Sequence, residues 1–550
     1  MDDKTEHRLD AVVIGAGLSG MYMLHRLREA GFRAVALEAG DGVGGTWRWN
    51  RYPGARCDVP SIEYSYSFSE AIQQEWTWSE RYATQPEILA YCEYVADRLD
   101  LRRDIRFNTR IHRAEFEDEV GAWRITDAQS KSYLAQFLIL ATGPLSLPKP
   151  VDIAGSNAFV GETLYSTDWP RGGVSFHGKR VAVVGTGSTG IQLIPAIAEE
   201  AEQLLVCQRT PNFVIPARHA TYAPEEVSDI KSRYASIRAK ARLTAAGSVA
   251  QTVNPQSALE VPAEERHRVY EERWTVGGSG FMAAFSDLMT NEEANETAAE
   301  FVRGKIRETI VDPTTAETLT PRDHFIGTKR IGVGADYYET FNRNNVTLKN
   351  LREDPIVRIH PEGIEFASGV VPIDTLVYAT GFDALTGAIL AIDIRGRRGL
   401  TIQQAWEQIP VTQLGILTPG FPNMFIVVGP GSPSVRGNMV PSIEDQVQWI
   451  SDCLSDLSRT NIQTMEANAS RAEEWIAHVN DAASSTLFPR AASWYSGANV
   501  PGKPRVFLPY VGGGPAYRAG LEAARESGYA DFILSYAQLA DGAADLAAAK

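Results

Sequence analysis

Two glycine-rich hexapeptides, GAGLSG at Gly15 to Gly20 and GTGSTG at Gly185 to Gly190, each separate an apolar run from a helix-forming one. The first follows Ala11-Val12-Val13-Ile14 and leads into Met21 to Glu29. The second follows Val181-Ala182-Val183-Val184 and leads into Ile191 to Glu200. A G-x-G-x-x-G between strand and helix cradles a pyrophosphate, because free N–H groups and the helix dipole favour an anion there. Gly15 and Gly185 allow the tight turn, Gly17 and Gly187 admit the phosphates, and Gly20 and Gly190 permit close helix–strand packing. Thr186, Ser188 and Thr189 lie within the second turn and are assigned to the cofactor with it.

The copies part at their second strands. Ala34 to Leu37 runs into Glu38, whose carboxylate accepts from both ribose hydroxyls and repels a 2′-phosphate, which suits FAD or NAD. Leu204 to Cys207 leads instead to Arg209-Thr210, a cation and a hydroxyl that favour the 2′-phosphate of NADPH. Arg209 alone reads almost equally well as a solvated strand-end charge; the glycine turn upstream decides for the phosphate. A chain holding FAD and NADPH is a flavin-dependent oxidoreductase. Disulfide reduction is excluded, since Cys57 is the only cysteine in the relevant stretch.

Apolar strands alternating with helices predict an α/β protein of two doubly wound, Rossmann-like dinucleotide-binding domains on parallel sheets. The expected division is 1–147 with 386–550 for FAD and 155–221 with 325–385 for NADPH. A helical insertion over 222–324 is placed as a lid, with Pro224 and Pro262 where helices could start. YYETFNRNNVTL (Tyr337 to Leu348) carries strand signals. FLILATG (Phe137 to Gly143) and TLVYATG (Thr375 to Gly381) end alike, either as crossings between domains or as ordinary buried strands with a tight exit. Met424 to Val428 reads as a buried strand, and ADGAADLAAAK as a frayed tail.

A net charge of −15 over 550 residues argues against nucleic acid. No run approaches a membrane span, and the charged start MDDKTEHRLD lacks a secretory core. Four scattered cysteines suit a reducing cytoplasm, and nine dispersed histidines offer no metal-ligand spacing. Nothing predicts a strong interface, so a monomer or weak oligomer is expected.

Longer motifs narrow the chemistry. GGTWRWNRYPGARCD (Gly44 to Asp58), FVGETLYSTDWP (Phe159 to Pro170), Lys329-Arg330, ATGFDALTGA, GPGSPS (Gly429 to Ser434) and ASWYSGANVPGKPR (Ala492 to Arg505) together resemble the class B flavoprotein monooxygenases, in the Baeyer–Villiger monooxygenase family. The resemblance runs from about residue 10 to 535. One departure is plain: Tyr165 stands where the linker fingerprint has His, while Phe159, Gly161 and Trp169 match. Tyr165 bears on domain coupling or NADPH turnover more than on reaction type.

The resemblance implies NADPH- and dioxygen-dependent oxidation of a ketone, whether linear, aryl, cyclic or steroid, to an ester or lactone through a flavin peroxide. It assigns the anion-stabilising guanidinium to Arg330 and the acid that orients it to Asp58. A structural ion pair at a domain seam is the competing account. Thr46, Trp47, Tyr52 and Tyr64 are placed around the flavin, Lys329 joins Arg209 and Thr210 at the 2′-phosphate, and Trp494 contacts NADP. Ser434, Val435 and Arg436 match a substrate-pocket bulge, where Arg436 either points outward or favours a substrate with an anionic group. Oxidation of nitrogen or sulfur would use the same cofactors without requiring Arg330. An NADPH oxidase is the other alternative.

Overall fold

The computed structural model describes residues 8–536; the stretch ADGAADLAAAK, expected as a frayed tail, lies outside the described residues.

Two sheets share one central arrangement. In the first, Arg8–Ile14 lies parallel between Ala34–Leu37 and Ser132–Leu140. In the second, Arg180–Val184 lies parallel between Gln203–Gln208 and Thr375–Tyr378. Val12, Val13, Ala182 and Val183 are wholly buried, as strands covered on both faces must be. The second sheet has five strands, all parallel, with Val346–Asn350 and Glu162–Tyr165 at its edges.

The first sheet corrects the purely parallel expectation. Ala122–Asp127 runs antiparallel between Ile111–Glu117 and Ser132–Leu140. Buried Ala114 and Phe116 alternate with the less buried Arg113, Glu115 and Glu117, the period-two pattern of a sheet with one wet face, after an irregularity between Ile111 and Arg113. Ser132–Leu140 divides its outer edge between two partners, Ala122–Asp127 first and Met424–Ile426 second.

Each first helix begins inside its glycine turn, as Leu18–Glu29 and Ser188–Glu200, earlier than apolar periodicity suggests. Gly20 and Gly190 thus fall in the first helical turn, against the carbonyls of Gly15 and Gly185. The YYETFNRNNVTL stretch also departs from expectation. Tyr337–Thr340 is a helical turn, and the strand waits until Val346. Buried Tyr337 and Phe341, four apart, share a helical face.

From 217 to 331 no strand occurs among the described residues; five α-helices of the segment are Pro224–Ser232, Tyr234–Leu243, Ala263–Val276, Glu292–Thr309 and Pro313–Leu319. Pro224 opens its helix and Pro262 directly precedes another. Glu292–Thr309 buries Ala294, Ala298, Val302 and Ile306 as a stripe in the core of the second sheet. Tyr234–Leu243 engages the first unit: Arg238 donates to the Glu63 carbonyl (3.0 Å) and the Ser65 hydroxyl (2.8 Å), and Arg242 pairs with Asp445. The segment therefore spans both units. Cys57, Cys92, Cys207 and Cys453 are free thiols, all buried.

Candidate active site

Asp58 ends the loop that follows the one-turn helix Thr46–Trp49, and Arg330 stands just before the short strand Gly332–Gly334. The fold brings them together across 272 positions. Arg330 Nε donates to Asp58 Oδ2 at 2.7 Å and Nη2 donates to Oδ1 at 2.7 Å, a bidentate fork. The remaining nitrogen, Nη1, donates to the Val435 carbonyl at 2.6 Å. The two side chains are 23% and 22% exposed. Burial pushes the Asp58 carboxyl up, but the charge and hydrogen bonds of Arg330 outweigh it and hold Asp58 below the usual carboxylate range. Burial likewise opposes the Arg330 charge, and Asp58 more than restores it. The outcome is a permanent cation in a fixed orientation. Tyr495, buried beside it, was passed over in the sequence; burial pushes its phenol up despite the neighbouring Arg330 and Arg436 charges.

The loop carrying Asp58 is held at both ends. Gly45 faces Gly17 so closely that a Cβ on Gly45 would stand 2.9 Å from the Gly17 Cα, which brings the first glycine turn against Thr46 and Trp47. Thr46 is exposed; Trp47 is buried, and its indole N–H donates to the Tyr64 hydroxyl at 3.2 Å. Tyr52 packs against the core of the second sheet, and its hydroxyl donates to Gln192 Oε1 at 3.0 Å. The same oxygen accepts the Arg56 N–H at 3.3 Å, and Gln192 Nε2 donates to the Arg56 carbonyl at 3.0 Å. Gln192 was also overlooked, although a lone amide in the apolar run Ile191 to Ala198 is a visible signal.

The glycine turns fit dinucleotides. Gly15 and Gly185 hold φ of +107° and +115°. A Cβ on Gly15 would stand 2.5 Å from the Ala141 carbonyl oxygen, and one on Gly185 would overlap that of Ala379. Those carbonyls belong to the two A-T-G exits, so the repeated strand ending is what makes each first glycine obligatory. Neither helix has a side-chain cap at Gly17 or Gly187, which leaves first-turn N–H groups for an anion. Around Gly187 a Cβ would meet nothing within 4 Å. Buried Glu38 accepts the N–H groups of Ala16 and Gly40, each at 2.7 Å, leaving one further acceptor position on each oxygen for a ribose hydroxyl.

At the second turn the Thr186 hydroxyl donates to the Thr210 carbonyl at 3.3 Å. Arg352, just past the strand Val346–Asn350, donates to the Thr210 hydroxyl at 3.3 Å and pairs with Asp323. Burial lowers Lys329, and the charges of Arg352 and Arg209 add to that against the opposing Asp323. Burial and Arg209 lower Lys149. Four cations around Thr210 form a donor set suited to a phosphate dianion. Lys149 and Arg352 are additions to the residues read from the sequence.

The loop around Trp494 closes on the second unit. Trp494 is half-buried with its ring 4.3 Å from that of Tyr495; Asn499 donates to the Phe382 carbonyl at 2.7 Å and Lys503 to the Ala384 carbonyl at 2.9 Å. Ser434–Arg436 forms a single turn with Ser434 buried at φ +46°. Val435 meets Arg330 through its carbonyl, while its side chain lies in an apolar cluster with Phe488 and Tyr495. Tyr165 lies elsewhere, on the edge strand of the second sheet and 39% exposed, stacked on Tyr378 with ring centres 5.4 Å apart. Trp169 is buried against Phe176. Among the described residues no group of His, Cys, Asp or Glu could hold a metal ion, and no helix is long and apolar enough to cross a membrane.

Residues 9–247 match the flavin-binding monooxygenase-like family. Acetone monooxygenase (methyl acetate-forming) of Gordonia sp. strain TY-5 is 40% identical over 529 residues, 96% of this chain and 99% of that protein. A phenazine N-monooxygenase of Lysobacter antibioticus is 40% identical over 540 residues, 97% and 98% of the two chains. The solved structure of an oxidised steroid monooxygenase bound to NADP superposes with a TM-score of 0.93 at 46% identity, covering 96% of this chain and all of that one. The chain belongs to the flavin-binding monooxygenases, in the Baeyer–Villiger group.

Proposed function

We propose that this protein oxidises ketones to esters or lactones with NADPH and dioxygen. The observation that carries the reading is the forked Arg330–Asp58 pair, a charged guanidinium fixed between Asp58 and the Val435 carbonyl. When bound, FAD and NADPH supply the hydride transfer and the oxygen activation that side chains lack. Arg330 supplies a preorganised positive charge where oxygen becomes anionic during addition to the carbonyl. Asp58 orients that cation and tempers its charge. Gly15, Gly17, Gly20, Glu38, Thr46, Trp47 and Tyr64 are assigned to FAD. NADPH is assigned to the 185–190 turn with Arg209, Thr210, Lys329 and Trp494. The proposed division is FAD binding by 1–147 and 386–550, NADPH binding by 155–221 and 325–385, and 222–324 between them. The protein is placed in the cytoplasm as a monomer or weak oligomer with no nucleic-acid partner.

The test is a ketone and sulfide panel run under labelled dioxygen with wild type and Arg330→Ala. One labelled atom in an ester, lost at least 100-fold in Arg330→Ala while NADPH is still consumed, supports the reading. Sulfide oxidation that survives Arg330→Ala, with no ester formed, replaces it with heteroatom oxygenation. Hydrogen peroxide equal to NADPH consumed, with no product, replaces it with an oxidase.

A further inference from the structure

We infer that the preferred ketone carries a carboxylate, which Arg436 receives; the inference rests on the ketone reading above and names its substrate class. The turn Ser434–Arg436 is tied to the candidate catalytic group, because Arg330 donates to the carbonyl of its middle residue. Arg436 therefore sits next to the site, yet the two arginines are treated oppositely. Arg330 commits three of its five N–H donors, one on each nitrogen, to Asp58 and Val435. Arg436 makes no hydrogen bond and no ion pair among the described residues, and its guanidinium carbon lies 4.4 Å from the Phe488 ring centre. The turn is set in an apolar cluster of Val435, Phe488, Tyr495, Leu385, Phe507 and Leu508.

A partly buried guanidinium in such surroundings is costly unless an anion meets it. Asp58, the carboxylate at this site, is occupied on both oxygens by Arg330. Contact with the Phe488 face leaves the planar N–H edge free, and that edge matches a carboxylate bidentately. Burial lowers Arg436 from its ordinary value, opposed only by the neighbouring Tyr495, and the guanidinium stays charged. A second polar atom of the same turn, the buried Ser434 Oγ, also has no hydrogen-bond partner. The cofactor's phosphate has its own cations around Thr210, so Arg436 is left for substrate.

Oxo acids from 4-oxopentanoate to 7-oxooctanoate, each with its methyl ester, provide the test, using flavin-loaded wild type, Arg436→Ala and Arg436→Lys. Wild type is expected to favour at least one acid over its ester by tenfold or more in kcat/KM. Arg436→Ala abolishes that preference by raising the KM of the acid, and Arg436→Lys restores part of it. Calorimetric titration with the same acids reads binding independently of turnover. Binding that is lost in Arg436→Ala upholds the carboxylate site even if no ester forms, in which case only the ketone reading fails. Equal kcat/KM for acid and ester in wild type overturns the inference. So does a rise in the KM for NADPH, rather than for the acid, in Arg436→Ala.

Discussion

Gly54 lies against the backbone carbonyl of Gln192, so closely that a Cβ at Gly54 would overlap that oxygen. The two residues belong to different dinucleotide units. The loop ending in Asp58 is thus docked onto the helix Ser188–Glu200 through Gly54, Arg56 and Tyr52, and the candidate catalytic acid is positioned by the unit built on the second sheet.

Gly54→Ala tests that docking. Gly54 holds φ +80°, and the obstacle is backbone rather than a movable side chain, so the loop must shift. A cost of about 1–3 kcal/mol in stability is expected. Product formed per NADPH consumed should fall, with hydrogen peroxide making up the difference. Unchanged coupling would mean that the loop does not need this seat.

Asp58→Asn keeps the shape of the pair and removes its charge. Because Asp58 titrates below its ordinary value when folded, its contribution is present above about pH 4, the unfolded value, and is lost as pH falls through the folded value. Melting curves should show wild type ahead of Asp58→Asn by a constant margin from pH 5 to 8, narrowing below pH 4. A margin growing with acidity would contradict the assigned sign.

Arg352 and Asp323 should tune the coenzyme in opposite directions. Arg352→Ala removes a cation beside Thr210 and is expected to raise the KM for NADPH about tenfold with little effect on NADH, a loss near 1.4 kcal/mol. Asp323→Asn frees Arg352 from its partner and removes an anion, so the KM for NADPH should drop. Steady-state kinetics with both coenzymes decides it. Parallel changes for NADPH and NADH would detach these residues from the 2′-phosphate.

Tyr165→His restores the fingerprint residue at a position whose ring contact is Tyr378. Loss of that stacking should cost about 0.5–1.5 kcal/mol in stability. The ketone profile should not change, since Tyr165 makes no contact with Arg330 or Asp58. An altered order of ketone preference would place Tyr165 within reach of the chemistry.

Much of this was legible in the residues, for identifiable reasons. Gly15, Gly17, Glu38 and their counterparts lie within one strand–turn–helix, so local spacing reveals them. Arg330 and Asp58 lie in unconnected motifs, and only family resemblance joined them before the fold did. Arg352 was invisible because its role depends on register: Asn350 pairs with Gln208, which carries the residues beyond each strand to the same corner. The antiparallel flank is not legible from apolar runs, because half-wet strands such as Ile111–Glu117 have none. The Tyr52–Gln192 contact was not legible because an aromatic beside a flavin motif and one at a seam between units have the same sequence.

The four buried thiols give the chain a built-in clock. Burial pushes Cys92 and Cys207 up to about 12 and Cys57 and Cys453 higher still, so almost no thiolate exists at neutral pH. A maleimide added to the native protein should therefore label only molecules that have opened. Its rate at each cysteine would time the breathing of the segment around it: Cys207 in the second sheet, Cys453 in the helix Met439–Arg459, and Cys57 at the doorstep of Asp58. In a protein that handles activated oxygen, the same seclusion keeps sulfur out of the oxidant's path.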